Sequence, residues 1–118
     1  MTTQELRIGN YVNLMLNHED YQTITITLLD LWDIEKKNGE YEPIEIDEEW
    51  LLKFGFEKDF ENDYMMAFQG RLYYYSNGFL MKGFGEKSKI NQVSIDFVHQ
   101  LQNLYFALTN KELIIKSK

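Results

Sequence analysis

Residues 64–84 constrain the fold more than any other part of the chain. Three apolar and aromatic runs, 64–68 (YMMAF), 72–75 (LYYY) and 79–84 (FLMKGF), are separated by Gln69-Gly70 and Ser76-Asn77-Gly78. Asn-Gly accepts the positive φ angles that a two-residue turn between right-twisted strands demands, so the second and third runs pair as a hairpin. A sheet made of such hairpins is antiparallel, and its inner face needs a cover. A different period supplies that cover near the end of the chain. Phe97, Leu101, Leu104, Tyr105 and Leu108 repeat at helical spacing after Asp96, a capping residue. Asn110 tolerates the left-handed conformation that ends a helix, and residues 112–116 (ELIIK) then read as a last strand. Phe106 falls opposite the apolar stripe, near His99 and Gln102, where it would serve either as a partner contact or in a helix covered on both sides; the second is favoured because large apolar side chains are usually buried.

The first half follows the same grammar. Residues 11–16 (YVNLML) and 22–27 (QTITIT) alternate as strands around the turn-forming Asn17-His18-Glu19-Asp20. Thr27 with Asp30 three residues on is a capping pair, which predicts a helix over 28–37 stopped by Asn38-Gly39. Pro43 makes Glu42 extended, Ile44 and Ile46 alternate with Glu45, and Asp47 caps a short helix carrying Trp50, Leu51 and Phe54. Gly55 ends that helix in the left-handed region. Together these segments predict a single α+β domain over residues 1–118. It would hold a bent antiparallel sheet of about five to seven strands with two or three packed helices.

Composition narrows the chemistry. With 118 residues, 44% of them hydrophobic and 15% aromatic, the chain can bury a core of its own. It has no cysteine, which removes disulfides, thiolate metal sites and a cysteine nucleophile, and is the usage of a reducing compartment. The opening residues lack an apolar signal core and no apolar run approaches the roughly 18 residues of a membrane span, so a cytoplasmic protein without membrane contact is expected. Four serines and two histidines form no recognisable triad or elbow. His18-Glu19-Asp20 has metal-capable side chains, but neighbours on a turn diverge. Gly83-Phe84-Gly85-Glu86-Lys87-Ser88 superficially resembles a phosphate loop, yet its spacing is wrong and Glu86 would repel phosphate; a glycine-marked turn is the simpler reading. The expectation is a non-enzymatic protein with no cofactor and no metal.

Charge is divided along the chain. Residues 1–63 carry sixteen acidic against five basic side chains, whereas residues 64–118 carry three against seven. An acidic edge at Glu45, Asp47, Glu48 and Glu49 would suit the basic groove of a nucleic-acid-handling protein. Arg71, Lys82, Lys87 and Lys89, interleaved with Tyr73, Tyr74, Tyr75, Phe79 and Phe84, would instead suit single-stranded nucleic acid. Alternation places Tyr73 and Tyr75 on one face of a strand and Tyr74 on the other, so the run cannot make one stacking platform. Ordinary solvated faces explain both distributions as well.

Three blocks, 5–12 (ELRIGNYV), 49–57 (EWLLKFGFE, preceded by Pro43-Ile44) and 99–113 (HQLQNLYFALTNKEL, preceded by Val98), resemble a group of small uncharacterised proteins carried by phages, prophages and other mobile elements of Bacteroidetes. The blocks occur in the same order and span the beginning, middle and end of the chain. The group's usual Pro-Leu-Thr is Glu-Ile-Asp here at 45–47, and its common glycine is Asn110; Asp47 and Asn110 can still serve as caps. The resemblance carries no activity and no catalytic residues with it. Set beside the acidic half, it leads to the expectation of an anti-CRISPR-like inhibitor that binds a CRISPR-type ribonucleoprotein effector and interferes with its handling of guide or target, RNA included. The alternative is a nucleic-acid-binding accessory protein of phage replication or transcription.

Overall fold

The computed structural model describes residues 3–17, 19–37, 39–58, 64–68, 71–76, 78–83 and 87–116; at 68, 71–72, 79–83 and 87–93 it describes the backbone path alone. After a single 3-10 turn, Thr3–Glu5, strands β1 (Tyr11–Met15) and β2 (Tyr21–Thr25) pair antiparallel with Tyr11 opposite Thr25 and Met15 opposite Tyr21. Asn17 closes their turn by accepting from the backbone N–H groups of Glu19 and Asp20, both at 2.9 Å. A third strand, β3 (Glu40–Glu42), lies on the other side of β1. Five further strands form a second antiparallel sheet in chain order: β4 (Glu57–Lys58), β5 (Tyr64–Phe68), β6 (Arg71–Ser76), β7 (Phe79–Gly83) and β8 (Lys87–Ser94). The helices are α1 (Leu28–Glu35), α2 (Glu48–Lys53) and α3 (Val98–Thr109).

The class is α+β, as the pattern of elements predicts. What the pattern does not convey is the division of the strands between a sheet of three and a sheet of five. Each sheet has its own apolar cluster. The smaller one, Leu6, Val12 and Ile26, is flanked by Ile24, Leu31, Ile34 and Tyr41. The larger joins Trp50, Leu51, Phe54 and Phe56 of the α2 region to Tyr64, Tyr73 and Tyr75 of the second sheet, and to Val98, Leu101 and Leu113. Tyr11 of β1 bridges the two parts, its ring 5.5 Å from that of Trp50 and 6.0 Å from that of Phe54.

Local rules account for most element ends. Thr27 and Asp30 form a reciprocal capping box on α1. Asp47 caps α2 by accepting from the Trp50 N–H at 2.9 Å, and Gly55 follows that helix with φ 98°. Asn110 closes α3 in the left-handed region, with φ 60°.

Several expectations need correction. Helix α1 stops at Glu35 rather than 37, because Lys37 itself turns left-handed (φ 60°) before Gly39. Asp96 does not cap α3: the side-chain oxygen of Gln100 reaches back to accept from the N–H groups of Asp96 and Phe97, at 2.9 and 3.1 Å. Residues 112–116 form no strand; they run as a tail whose Leu113 plugs the larger cluster, and the Lys116 N–H donates to the Lys53 carbonyl. Strand β8 was unannounced, since KSKINQVS has no clean alternation. Leu108 is exposed, while Val98, His99 and Gln102 of α3 are buried. The helix is indeed covered on its second side, where the Arg7 guanidinium sits 4.0 Å over the Phe106 ring.

A polar seam fastens that second side to the first sheet. Gln102 accepts from the Tyr11 N–H at 2.8 Å and donates to the carbonyls of Gly9 and Leu113. Asn103 accepts from Asn10 at 2.9 Å and from Arg7 at 2.8 Å, and Arg7 also pairs with Glu112. Buried amides satisfied in this way fix a unique docking of α3 on β1, because leaving any of them unpaired is costly.

Candidate protein-docking face

Helix α1 is eight residues long, and five of them are large and apolar: Leu28, Leu29, Leu31, Trp32 and Ile34. One stripe cannot hold five. Leu31 and Ile34 turn inward to the smaller cluster, on the side where Asp30 accepts from the Tyr41 hydroxyl at 3.0 Å. Burial and that carboxylate raise the Tyr41 phenol to about 12. The remaining three face outward, with Leu28 71% exposed, Leu29 75% and Trp32 58%. At about 100° per residue these positions span one arc of the helix. With Thr3, Leu31 and Glu35 they line an open groove between α1 and the first turn of the chain. Its polar fittings are few. Thr3 donates to Glu35 at 2.9 Å, and the Lys36 ammonium lies 4.8 Å from the Trp32 ring.

Exposed leucines singly are unremarkable; here three large apolar side chains are exposed together on one short helix. The surface also lies in the acidic half of the chain, with Asp33 and Glu35 on the same helix. Along the chain this surface is masked because Leu28, Leu31, Trp32 and Glu35 fit the helical spacing of an ordinary packed helix. The available signal was the excess of apolar residues over what one face can bury.

The acidic edge is assembled on the surface, with most of its groups engaged. Asp47 is the α2 cap, Glu49 pairs with Lys53 at 3.0 Å, and Glu48 lies 3.7 Å from Lys58. Burial, together with a hydrogen bond to Glu48, pushes the Tyr64 phenol above its usual range. Glu45 is exposed on a segment held by an isolated bridge to Phe97, with the Val98 N–H donating to the Ile44 carbonyl at 2.8 Å. Such surface pairs contribute little to stability, so the edge keeps its acidic character at modest cost.

The basic set falls on adjoining strands. Arg71 opens β6 opposite Phe68, Lys82 on β7 lies opposite Tyr73, and Lys87 opens β8 opposite Gly83, with Lys89 two residues on. The register thus gathers all four at one end of the five-stranded sheet. The tyrosines expected to interleave with them are unavailable for stacking on bases: Tyr73, Tyr74 and Tyr75 are each less than a tenth exposed. Tyr73 and Tyr75 belong to the larger core, and the Tyr75 hydroxyl donates to the Ile95 carbonyl at 2.7 Å. Phe84, Gly85 and Glu86 of the glycine-rich stretch lie outside the described residues, as do His18 and residues 59–63. Among the described residues no group of three or more His, Asp or Glu side chains is placed to hold a metal ion, and no helix is long and apolar enough to cross a membrane.

Comparison with protein-family models, with curated proteins and with solved structures finds no match to this chain.

Proposed function

We propose that the protein is a non-enzymatic binding protein that docks on a partner protein through the outward face of α1. The observation that carries this reading is the exposure of Leu28, Leu29 and Trp32 on one arc of a helix within the acidic half of the chain. Apolar anchors with an aromatic among them supply affinity, and the surrounding negative charge steers the encounter toward a cationic surface. The resemblance to mobile-element proteins directs the choice of partner to a nucleic-acid-guided defence effector, a CRISPR-type ribonucleoprotein whose guide- or target-binding channel is basic. Occupation of that surface would inhibit it. The role is therefore anti-CRISPR-like, with α1 as the anchor and Glu45, Asp47, Glu48 and Glu49 as a steering edge.

The test is affinity capture from a Bacteroidetes lysate, with and without nuclease, using the parent, Leu29→Asp with Trp32→Ala, and Glu45→Lys with Glu48→Lys and Glu49→Lys. An effector recovered after nuclease and lost with the α1 double variant supports the proposal. The steering variant should slow association more than it speeds dissociation. Effector binding that survives the α1 double variant would refute the assignment of the face.

A second reading draws on the gathering of Arg71, Lys82, Lys87 and Lys89 at one sheet end. It makes the protein a nucleic-acid-binding accessory factor of phage replication or transcription. Its outcome in the same experiment is distinct: nucleic acid alone is recovered, is lost at moderate salt, and is lost on replacing those four residues with Glu.

A further inference from the structure

We infer that the protein pairs with a second copy of itself along the outer edge of β2, joining two three-stranded sheets into one continuous sheet. The inference concerns a sheet edge and is independent of the docking face on α1.

Among the described residues the two sheets have four edges, and three carry the usual protection against strand pairing. Edge β3 is three residues long with Glu40 and Glu42 at its ends; β4 is two residues, Glu57 and Lys58; β8 is longer and carries Lys87 and Lys89. Short length and charge are the devices by which soluble proteins blunt an edge. Strand β2 has neither. Its sequence, YQTIT, is five residues without charge, proline or bulge, in unbroken register with β1.

The backbone groups on that edge can be named. The Ile26 N–H donates to the Asn10 carbonyl at 2.8 Å, and the Leu16 N–H donates to the Asp20 carbonyl at 2.9 Å. Residues 20 and 26 therefore face β1, and alternation makes 22 and 24 do the same. The N–H and C=O groups of Tyr21, Thr23 and Thr25 point away from the sheet. Four of the five residues of β2 are exposed, Tyr21 at 59%.

This edge is self-complementary. A two-fold axis beside Thr23 sets Thr23 opposite its own counterpart and Tyr21 opposite the second copy's Thr25, so the three outward residues of each strand make about six backbone hydrogen bonds across the junction. Thr–Thr and aromatic–β-branched pairs are favourable cross-strand neighbours. No like charges meet, because Asp20 then falls opposite Ile26 and Glu19 opposite Thr27. A nucleic-acid strand offers no ladder to pair with, and a foreign strand has no counterpart on this molecule to define it; the second copy does. Each chain carries a formal net charge of −7, so long-range repulsion opposes the pairing and salt should strengthen it.

Sedimentation of the full chain over a concentration series, at low and high salt, reads the prediction directly. A monomer–dimer equilibrium that tightens with salt is expected. Thr23→Lys sets two ammonium groups face to face at the axis and should leave the chain monomeric with its circular dichroism unchanged. The chain has no cysteine, so Thr23→Cys should form an intermolecular disulfide on oxidation, whereas Gln22→Cys, on the opposite face and off the axis, should not. A chain that stays monomeric throughout, a dimer that persists in Thr23→Lys, or equal cross-linking of the two cysteine variants would each overturn the inference. If Thr23→Lys fails to fold, the cysteine pair decides. Loss of effector capture in the α1 double variant leaves the dimer untouched, so the two proposals fail separately.

Discussion

The two sheets handle the same problem differently. The five-stranded sheet sits against a broad aromatic cluster, with Phe54 fully buried and Leu113 and α3 closing it, and both its edges are short or charged. The three-stranded sheet rests on a cluster of three buried side chains, turns three of the five large apolar residues of α1 outward, and leaves β2 open. One part of the molecule spends its apolar residues on stability. The other leaves Leu28, Leu29 and Trp32 exposed and one strand edge unpaired, the surface on which the proposed associations rest.

Phe54→Ala should cost about 3–5 kcal/mol, since it hollows the larger cluster, and should lower the thermal midpoint of the whole chain. A loss confined to one sheet would mean that the parts unfold independently. Gln102→Leu leaves the Tyr11 N–H without its acceptor at the seam and should cost about 1–3 kcal/mol. Amide exchange should show that loss falling on β1 and β2 first, with α3 protected longest. Equal acceleration in both sheets would erase the distinction.

A pH profile tests the seam from the other side. His99 is buried against Phe97, with ring centroids 5.9 Å apart, and neither ring nitrogen has a hydrogen-bond partner among the described residues. Burial lowers its pKa below the usual 6.5, opposed in part by the charge of Glu5. The unfolded chain therefore takes up this proton at a higher pH than the folded one. The contribution of neutral His99 is intact above pH 6.5 and is lost as pH falls through its depressed folded value. Urea midpoints measured downward from pH 7 should show the decline, and His99→Phe should flatten it; an unchanged slope in that variant would move the effect to another group.

The smallest effect belongs to α1. Thr27→Ala removes the capping box and should cost about 1 kcal/mol, which the first sheet should register as faster exchange of α1 amides. Leu29→Asp, on the exposed arc, should alter stability by no more than about 0.5 kcal/mol while abolishing partner binding. A large destabilisation there would show that Leu29 is packed rather than presented.

Much of this architecture is legible along the chain because it rests on local physics. Thr27 with Asp30, Asp47, Gly55 and Asn110 mark helix ends through hydrogen bonds or φ angles that only a few residues accept. The alternation and turn residues of 11–27 and 64–84 announce two hairpins for the same reason. The Asp96 cap failed because α3 begins one residue later than that cap requires, at Val98 after Phe97, and Gln100 instead reaches back to the N–H groups of Asp96 and Phe97. Strand β8 was hidden because KSKINQVS lacks the alternation of a strand with one buried face, and its pairing with β7 is interrupted by a register shift. The acidic edge was visible as composition, but its pairing with Lys53 and Lys58 was not, since Lys58 reaches Glu48 across the turn after α2.

The class, the hairpins, most helix ends and the charge division between the halves can be read along the chain, because they follow from residue identity, conformational preference and near neighbours. The split of the strands into two sheets, the burial of the tyrosines at 73–75, the lock of Gln102 between α3 and β1, and the outward faces of α1 and β2 emerge only when the chain packs. Those outcomes depend on which surfaces meet across long stretches of chain, and a side chain's burial is set by what packs on it rather than by its own identity.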